Sequence, residues 1–262
     1  MRCYLLAAMT LLVAPLHAQD HSEHVHGSTM NESTSDTALS GTDAYATLLH
    51  EHGGMRTGFL FGERFEYLPE FEQQVWEAQG WYGSDSSKLW LKTEGEYHTE
   101  EEVLEHAELQ LLYSRAVAPY WDLQAGLRID DGEGPRRHHA VIGVQGLAPY
   151  WFELDLAAFL SESGKLSARM EAEYELRFTQ RLILQPRLEL NYSFADDFAA
   201  GIGRGWNETS LGLRLRYEWH RQFAPYVGVE YRSVHGGTAT LYDARGLDTH
   251  EMTWLGGVRF WY

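Results

Sequence analysis

Cysteine is all but absent: one thiol, Cys3, occurs in 262 residues, and it lies in a segment expected to be removed on export. The mature chain is therefore expected to have no disulfide, no thiolate metal ligand and no cysteine nucleophile. Long apolar runs are also missing. No stretch approaches the ~20 residues that a membrane helix needs, and the mean hydropathy is -0.39, which together exclude a helical membrane protein. Cationic residues are scarce, 21 Lys and Arg against 38 Asp and Glu, for a formal net charge of -17. A nucleic-acid partner is not expected on that ground, because phosphate binding needs a basic surface; a cationic ligand is the better match.

Aromatics, by contrast, make up 13% of the chain and include nine Trp and fifteen Tyr. A polar average with abundant Trp and Tyr is what strict alternation produces when one face meets lipid and the other meets water. The last eleven residues show it: Trp254, Gly256, Val258, Phe260 and Tyr262 share one face of a strand. A bare edge ending on aromatics recruits other chains, whereas a closed barrel has no edge. This strand is expected to close a transmembrane β-barrel; the last strand of a soluble sandwich is the alternative.

At the other end, Arg2 precedes an apolar run from Tyr4 to Leu16, and Leu16-His17-Ala18 forms a cleavage site before Gln19. Residues 1–18 read as a secretory signal peptide, and Cys3 stands too early to be a lipidated cysteine. Export combined with a barrel pattern points to a Gram-negative outer membrane. Residues 19–58 are polar and lack a useful period, so a disordered periplasmic arm is expected. Its histidines are bunched as His21, His24 and His26 with Met30, then His50, His52 and Met55. Such a segment can wrap several imidazoles around one ion; thioethers suit Cu(I) and imidazoles suit Cu(II). A solvated polar linker with incidental histidines is the alternative.

From residue 59 to 262 almost every segment alternates. The clearest places Leu166, Ala168, Met170, Ala172, Tyr174, Leu176 and Phe178 on one face and Arg169, Glu171, Glu173, Glu175 and Arg177 on the other. Alternation of this length means strands of about ten residues, beyond the usual five or six of soluble sheets. The expected fold is all-β: a transmembrane antiparallel barrel of about twelve strands, near 57–67, 73–82, 87–98, 103–115, 120–130, 137–147, 150–160, 166–178, 181–194, 207–219, 225–234 and 251–262. Helix competes over Glu100–His106 and Glu171–Glu175, and a count of ten is open. Inward carboxylates and guanidiniums imply a lumen laced with ion pairs rather than a wide channel. Ala-Pro-Tyr recurs at 118–120, 148–150 and 224–226, where Pro supplies a tight turn and Tyr an interfacial anchor. In the twelve-strand count these turns follow strands four, six and ten, all on the periplasmic side. The longest connections, 195–206 and 235–250, then fall outside.

Several stretches resemble one known family. Leu89-Trp90-Leu91-Lys92-Thr93-Glu94-Gly95-Glu96, Glu108-Leu109-Gln110-Leu111-Leu112-Tyr113-Ser114-Arg115 and Trp121-Asp122-Leu123-Gln124-Ala125-Gly126-Leu127-Arg128 are similar to the copper resistance protein B family. So are Gly143 to Glu153, Leu182-Ile183-Leu184-Gln185-Pro186-Arg187, Leu211 to Glu218, Phe223 to Glu230 and Arg259-Phe260-Trp261-Tyr262, so the resemblance runs from about Phe59 to the end. It implies an outer-membrane barrel that binds copper in periplasmic copper homeostasis or resistance, usually beside a periplasmic multicopper oxidase. The family's arm is rich in Met and His; here it favours His.

On the barrel, Glu94, Glu96, His98, His106 and Glu108 come from neighbouring strands and share the inward face by parity. Imidazoles and carboxylates facing each other across an antiparallel pair reach one ion at ~2.0–2.2 Å, a set open to Cu(II) or Zn(II). The alternative is that the carboxylates only pair with Lys92, Arg128 and other inward cations. Of His138 and His139, only His139 points inward. His235 and His250 bracket the longest connection, and Met170 and Met252 fall on the lipid-facing parity as packing residues. Ser114, Ser193 and Ser233 lack a nucleophile motif, so no catalysis is expected. A structural or small-solute barrel without a metal role is the runner-up, and a membrane-embedded hydrolase the third reading.

Overall fold

The computed structural model describes residues 56–132 and 134–262. The expected signal peptide and nearly all of the expected arm lie outside that range.

Long alternating segments become long strands. In chain order they are β1 (Thr57–Leu68), β2 (Gln73–Gly83), β3 (Ser87–His98), β4 (Val103–Ala118), β5 (Trp121–Gly132), β6 (Arg137–Ala148), β7 (Phe152–Ser161) and β8 (Leu166–Glu173). They continue as β9 (Leu176–Arg177), β10 (Leu182–Ser193), β11 (Gly205–Tyr217), β12 (Phe223–Val234) and β13 (His250–Trp261). Every pairing is antiparallel; β8 and β9 both pair with β10, the other strands pair with their sequence neighbours, and β1 pairs with β13, so the sheet closes on itself. β8 and β9 are one wall strand interrupted at Tyr174 and Glu175, which makes twelve strands around the barrel. The gap has a chemical cause. Tyr174 N–H donates to Pro186 O across the pair, at 3.2 Å, but Pro186 has no N–H to return.

The alternation sets the two faces. Leu127, Ile142, Val227, Met252 and Trp254 project outward and are exposed on the barrel exterior. Tyr82, Tyr120, Tyr150, Trp151 and Trp219 ring one end, while Tyr67, Phe194, Trp206 and Tyr231 stand toward the other. Amphipathic rings at both interfaces bracket an apolar band, as a lipid-embedded barrel requires.

Connections sort by end. Residues 84–86, 119–120, 149–151, 178–181 and 218–222 turn tightly at one end; 69–72, 99–102, 134–136, 162–165, 194–204 and 235–249 lie at the other. The two longest thus share an end, as the alternation implies. In the turns at 119–120 and 149–151, Tyr120 (φ 67°) and Tyr150 (φ 68°) follow proline in the left-handed region. The third Ala-Pro-Tyr behaves differently. Pro225 and Tyr226 sit inside β12, and the buried Tyr226 donates its hydroxyl to Glu66 Oε1 at 3.0 Å, so it is a lumen residue and not an interfacial anchor. A short helix, α1 (Gly236–Arg245), occupies the longest connection, where the sequence gives no strong helical period. Thr238 on α1 accepts from Gly203 N at 2.9 Å, tying the two long connections together. The region around Glu100–His106, where helix competed, is a turn followed by β4.

The interior is polar and cross-braced. Arg214 bonds Glu66 at 2.6 Å and Glu230 at 2.6 Å; Arg187 bonds Glu171 at 2.9 Å and reaches Glu77 at 3.5 Å from across the barrel. Lys92 on β3 meets Asp155 on β7 at 2.6 Å. Charges removed from bulk water hold only when paired and hydrogen-bonded, and these strands deliver both signs to one space. Below the middle, toward the short turns, lies a cavity of about 320 Å³ whose lining includes Glu77, Glu94, Glu108, Glu153 and Arg169.

Candidate metal centre

Three inward side chains converge on β4 and β5. Glu108 faces Asp130 directly across the pair, and His106 stands two residues along β4, opposite Gly132. One ligand atom from each of His106, Glu108 and Asp130 lies within 4.8 Å of the others. Gly132 is required where it stands: its φ is 143°, and a Cβ there would fall 2.3 Å from Glu105 O. β6 adds His139, opposite Arg128. His139 Nδ1 is buried without a hydrogen-bond partner, 3.6 Å from Asp130 Oδ2. A buried nitrogen left just beyond bonding distance of a carboxylate is an unmet demand for a ligand or proton at that point.

The carboxylates are held by cations from one side. Arg128 binds Asp130 Oδ1 through Nε at 2.6 Å, Asp130 Oδ2 through Nη2 at 3.1 Å and Glu108 through Nη1 at 2.7 Å. Arg169, arriving from β8, reaches Glu108 Oε2 at 3.1 Å and Glu94 Oε1 at 2.6 Å. Gln110 Nε2 donates to the other Glu108 oxygen. Glu108 is only 1% exposed and Asp130 5%, so each bond acts in a low-dielectric setting. Phe159 packs beneath, its ring 4.5 Å from the Arg128 guanidinium and 5.6 Å from that of Arg169.

A second polar group lies nearer the rim. His98 Nε2 bonds Glu105 Oε2 at 2.8 Å, its Nδ1 stands 3.3 Å from Phe71 O, and Gln73 Nε2 donates to Glu96 at 2.7 Å and to Glu105 at 3.2 Å. Glu96 faces His106 across β3 and β4, so the two groups adjoin.

Among the sequence candidates, His106 and Glu108 share one cluster, and His139 borders it through Asp130. Glu94 is tied to Arg169, the ion-pair alternative, and Glu96 with His98 forms the rim group. His138 is exposed. His235 bonds Thr209 at 3.0 Å and His250 bonds Thr249 at 3.2 Å. His21, His24, His26, Met30, His50, His52 and Met55 lie outside the described residues. Two participants escape the sequence reading. Asp130 is inward by parity, but its nearness to His106 and Glu108 is set by the strand register. Glu105 has outward parity, and a bulge at Glu96/Tyr97 brings it to the rim group.

Comparison with known proteins bears on what such a barrel belongs to. The family model described as "Copper resistance protein B precursor (CopB)" matches residues 56–262. The chain belongs to the copper resistance protein B family. Copper resistance protein B of Escherichia coli is 44% identical over 187 residues, 71% of this chain and 62% of that protein. A copper resistance protein B homolog of Pseudomonas syringae pv. tomato is 39% identical over 188 residues, 72% of this chain and 63% of that protein. The matched segments thus span less than two thirds of these relatives. In fold, the barrel is similar to the NanC porin, with a TM-score of 0.50 and 12% identity over 78% of this chain and 99% of that one.

Proposed function

We propose that this copper resistance protein B family member is an outer-membrane copper-binding barrel acting in copper resistance or homeostasis. The observation that carries the reading is the convergence of His106, Glu108 and Asp130, with the unpartnered Nδ1 of His139 beside them, on the inner wall of a barrel from this family. Two imidazoles and two carboxylates make a mixed nitrogen and oxygen set suited to Cu(II); Glu96, Glu105 and His98 extend a polar path toward the long-connection rim. Glu94 contributes through Arg169 rather than as a direct ligand. The role is coordination without bond making, so no catalytic residue is assigned.

The short-turn end is the periplasmic end by the usual rule that long loops face outward. Thr57 starts β1 at that end, which supports a periplasmic position for an arm ahead of it. His21, His24, His26, His50 and His52 with Met30 and Met55 would raise local copper at that mouth and take Cu(I) as well as Cu(II). A periplasmic multicopper oxidase would meet the protein on the same side.

Copper titration of the refolded full chain beside a chain starting at Arg56 tests this reading, with silver replacing Cu(I). Tight binding by both, with loss of part of the capacity on truncation, supports it and divides arm from barrel. Retention of copper by neither, above a barrel whose histidines are replaced, leaves a structural or small-solute barrel instead.

A further inference from the structure

The carboxylates of the metal centre are already occupied by arginine. Arg128 places one guanidinium across Glu108 and Asp130, in the space a metal shared by them would take, with contacts of 2.6 to 3.1 Å. Glu108 is also gripped by Arg169, and Arg169 in turn is the cation of Glu94, five wall strands away on β3. Glu94, Glu108 and Arg169 all line the 320 Å³ cavity below. The centre and the cavity therefore meet at one guanidinium-bridged carboxylate.

We propose that Arg128 is the resident counter-cation of the metal centre, and that a divalent transition-metal ion binds by displacing it, loosening the ion-pair mesh that crosses the lumen. This rests on the metal reading given above. Charge favours the exchange. Glu94, Glu108 and Asp130 against Arg128 and Arg169 leave one net negative charge, and Glu189 and Glu171 stand 3.7 and 3.9 Å from Arg169, so a cation is drawn to the group even while Arg128 remains beside it. Coordination chemistry makes the exchange selective. An alkali cation offers the carboxylates no more than the bidentate guanidinium does, whereas a copper or zinc ion also recruits His106 and His139, nitrogen ligands that Arg128 cannot use. A displaced guanidinium would have the Phe159 face at hand, 4.5 Å from its present position, and Gln110 is its cross-strand neighbour on β4. Once the metal takes a Glu108 oxygen, Arg169 loses half of its bridge, and the contact separating centre from cavity weakens.

The test uses the full chain in detergent, with Cu(II) as the probe and the sites lost in His106→Ala defining the barrel class. Arg128→Gln removes the competing charge and is expected to tighten that class by about tenfold or more, the scale of close charge-pair couplings. Arg128→Lys keeps the charge without the bidentate fork and should fall between wild type and Arg128→Gln. In planar bilayers, Cu(II) is expected to raise the potassium conductance of wild type, and Arg128→Gln to conduct without it. Heat-shifted gel mobility shows whether each variant is folded; if Arg128→Gln does not assemble, the lysine variant carries the comparison. A folded variant binding no more tightly than wild type, while His106→Ala still loses sites, overturns the counter-cation role and leaves the metal reading standing. If His106→Ala loses nothing, both fail together.

Discussion

The backbones of Leu60 and Tyr262 exchange two hydrogen bonds, 2.9 Å from Leu60 N to Tyr262 O and 2.8 Å in return. That pair is the seam of the barrel, continued by Phe61 opposite Trp261 and by the stacked rings of Phe65 and Phe260, 5.2 Å apart. Removal of Arg259 to Tyr262 unpairs the end of β1 and leaves two edges in lipid, where each unmet backbone group costs several kcal/mol. The shortened chain is expected to lose the heat-shifted gel mobility of a closed barrel. Full retention of that shift would show that the seam closes without these residues.

The lipid face tolerates charge poorly. Leu127 lies at the middle of β5 and is exposed outward. Leu127→Arg is expected to destabilise the barrel by roughly 2–4 kcal/mol, as measured by denaturant unfolding in vesicles, because guanidinium at mid-bilayer has no partner there.

Inside, the opposite holds. Glu66 accepts from Arg214, Arg64 and Tyr226 and is almost wholly buried. Glu66→Ala takes from Arg214 one of its two partners at 2.6 Å, leaving Glu230 alone, and is expected to cost about 3–5 kcal/mol. Tyr226→Phe removes one hydrogen bond and should cost only about 1 kcal/mol. Unfolding of the two variants in parallel checks the ranking.

Outside the membrane, Asp197 anchors the connection at 194–204. Burial raises its pKa, but the ion pair and hydrogen bond with Lys165, at 2.9 Å, outweigh that and hold the carboxyl below its ordinary value. A group with a depressed folded pKa stabilises the folded form above its unfolded value, and the gain is lost as pH falls through the folded one. Hydrogen exchange of residues 194–204, corrected for intrinsic rate, is expected to quicken below about pH 4, near the ordinary carboxyl range. Asp197→Asn should show the faster rate already at neutral pH.

Much of this was legible in the residues. Period-two alternation needs no partner to be read, so twelve strands, their inward faces and the sharing of one end by the long connections follow from the chain alone. What escaped depends on the neighbouring strand. Pro186 interrupts β8 from across the ladder, and the bulge at Glu96/Tyr97 brings in Glu105 against parity. Tyr226 looks like its two Ala-Pro-Tyr counterparts until register places it against Glu66. The candidate metal centre was half visible: His106, Glu108 and His139 are metal-ligating types on the inward face, while Asp130 becomes a candidate only when its distance to His106 is known.

Within the centre, His106→Ala and Asp130→Asn are each expected to weaken barrel copper by about tenfold or more, a scale on which even the outer partners of metal ligands matter. His138→Ala, one residue from His139 but on the exposed side of β6, should leave it unchanged. Calorimetric titration of the three variants separates inward from outward histidines.

Copper is proposed to sit on the inner wall between β4, β5 and β6. The most direct measurement is electron paramagnetic resonance of the full chain loaded with one equivalent of Cu(II) per barrel site, compared with the His106→Ala/His139→Ala double variant. Nitrogen superhyperfine coupling from the barrel class is expected, and it should disappear in the double variant, leaving only the signal of the arm. An unchanged spectrum would place all of the copper elsewhere and contradict it.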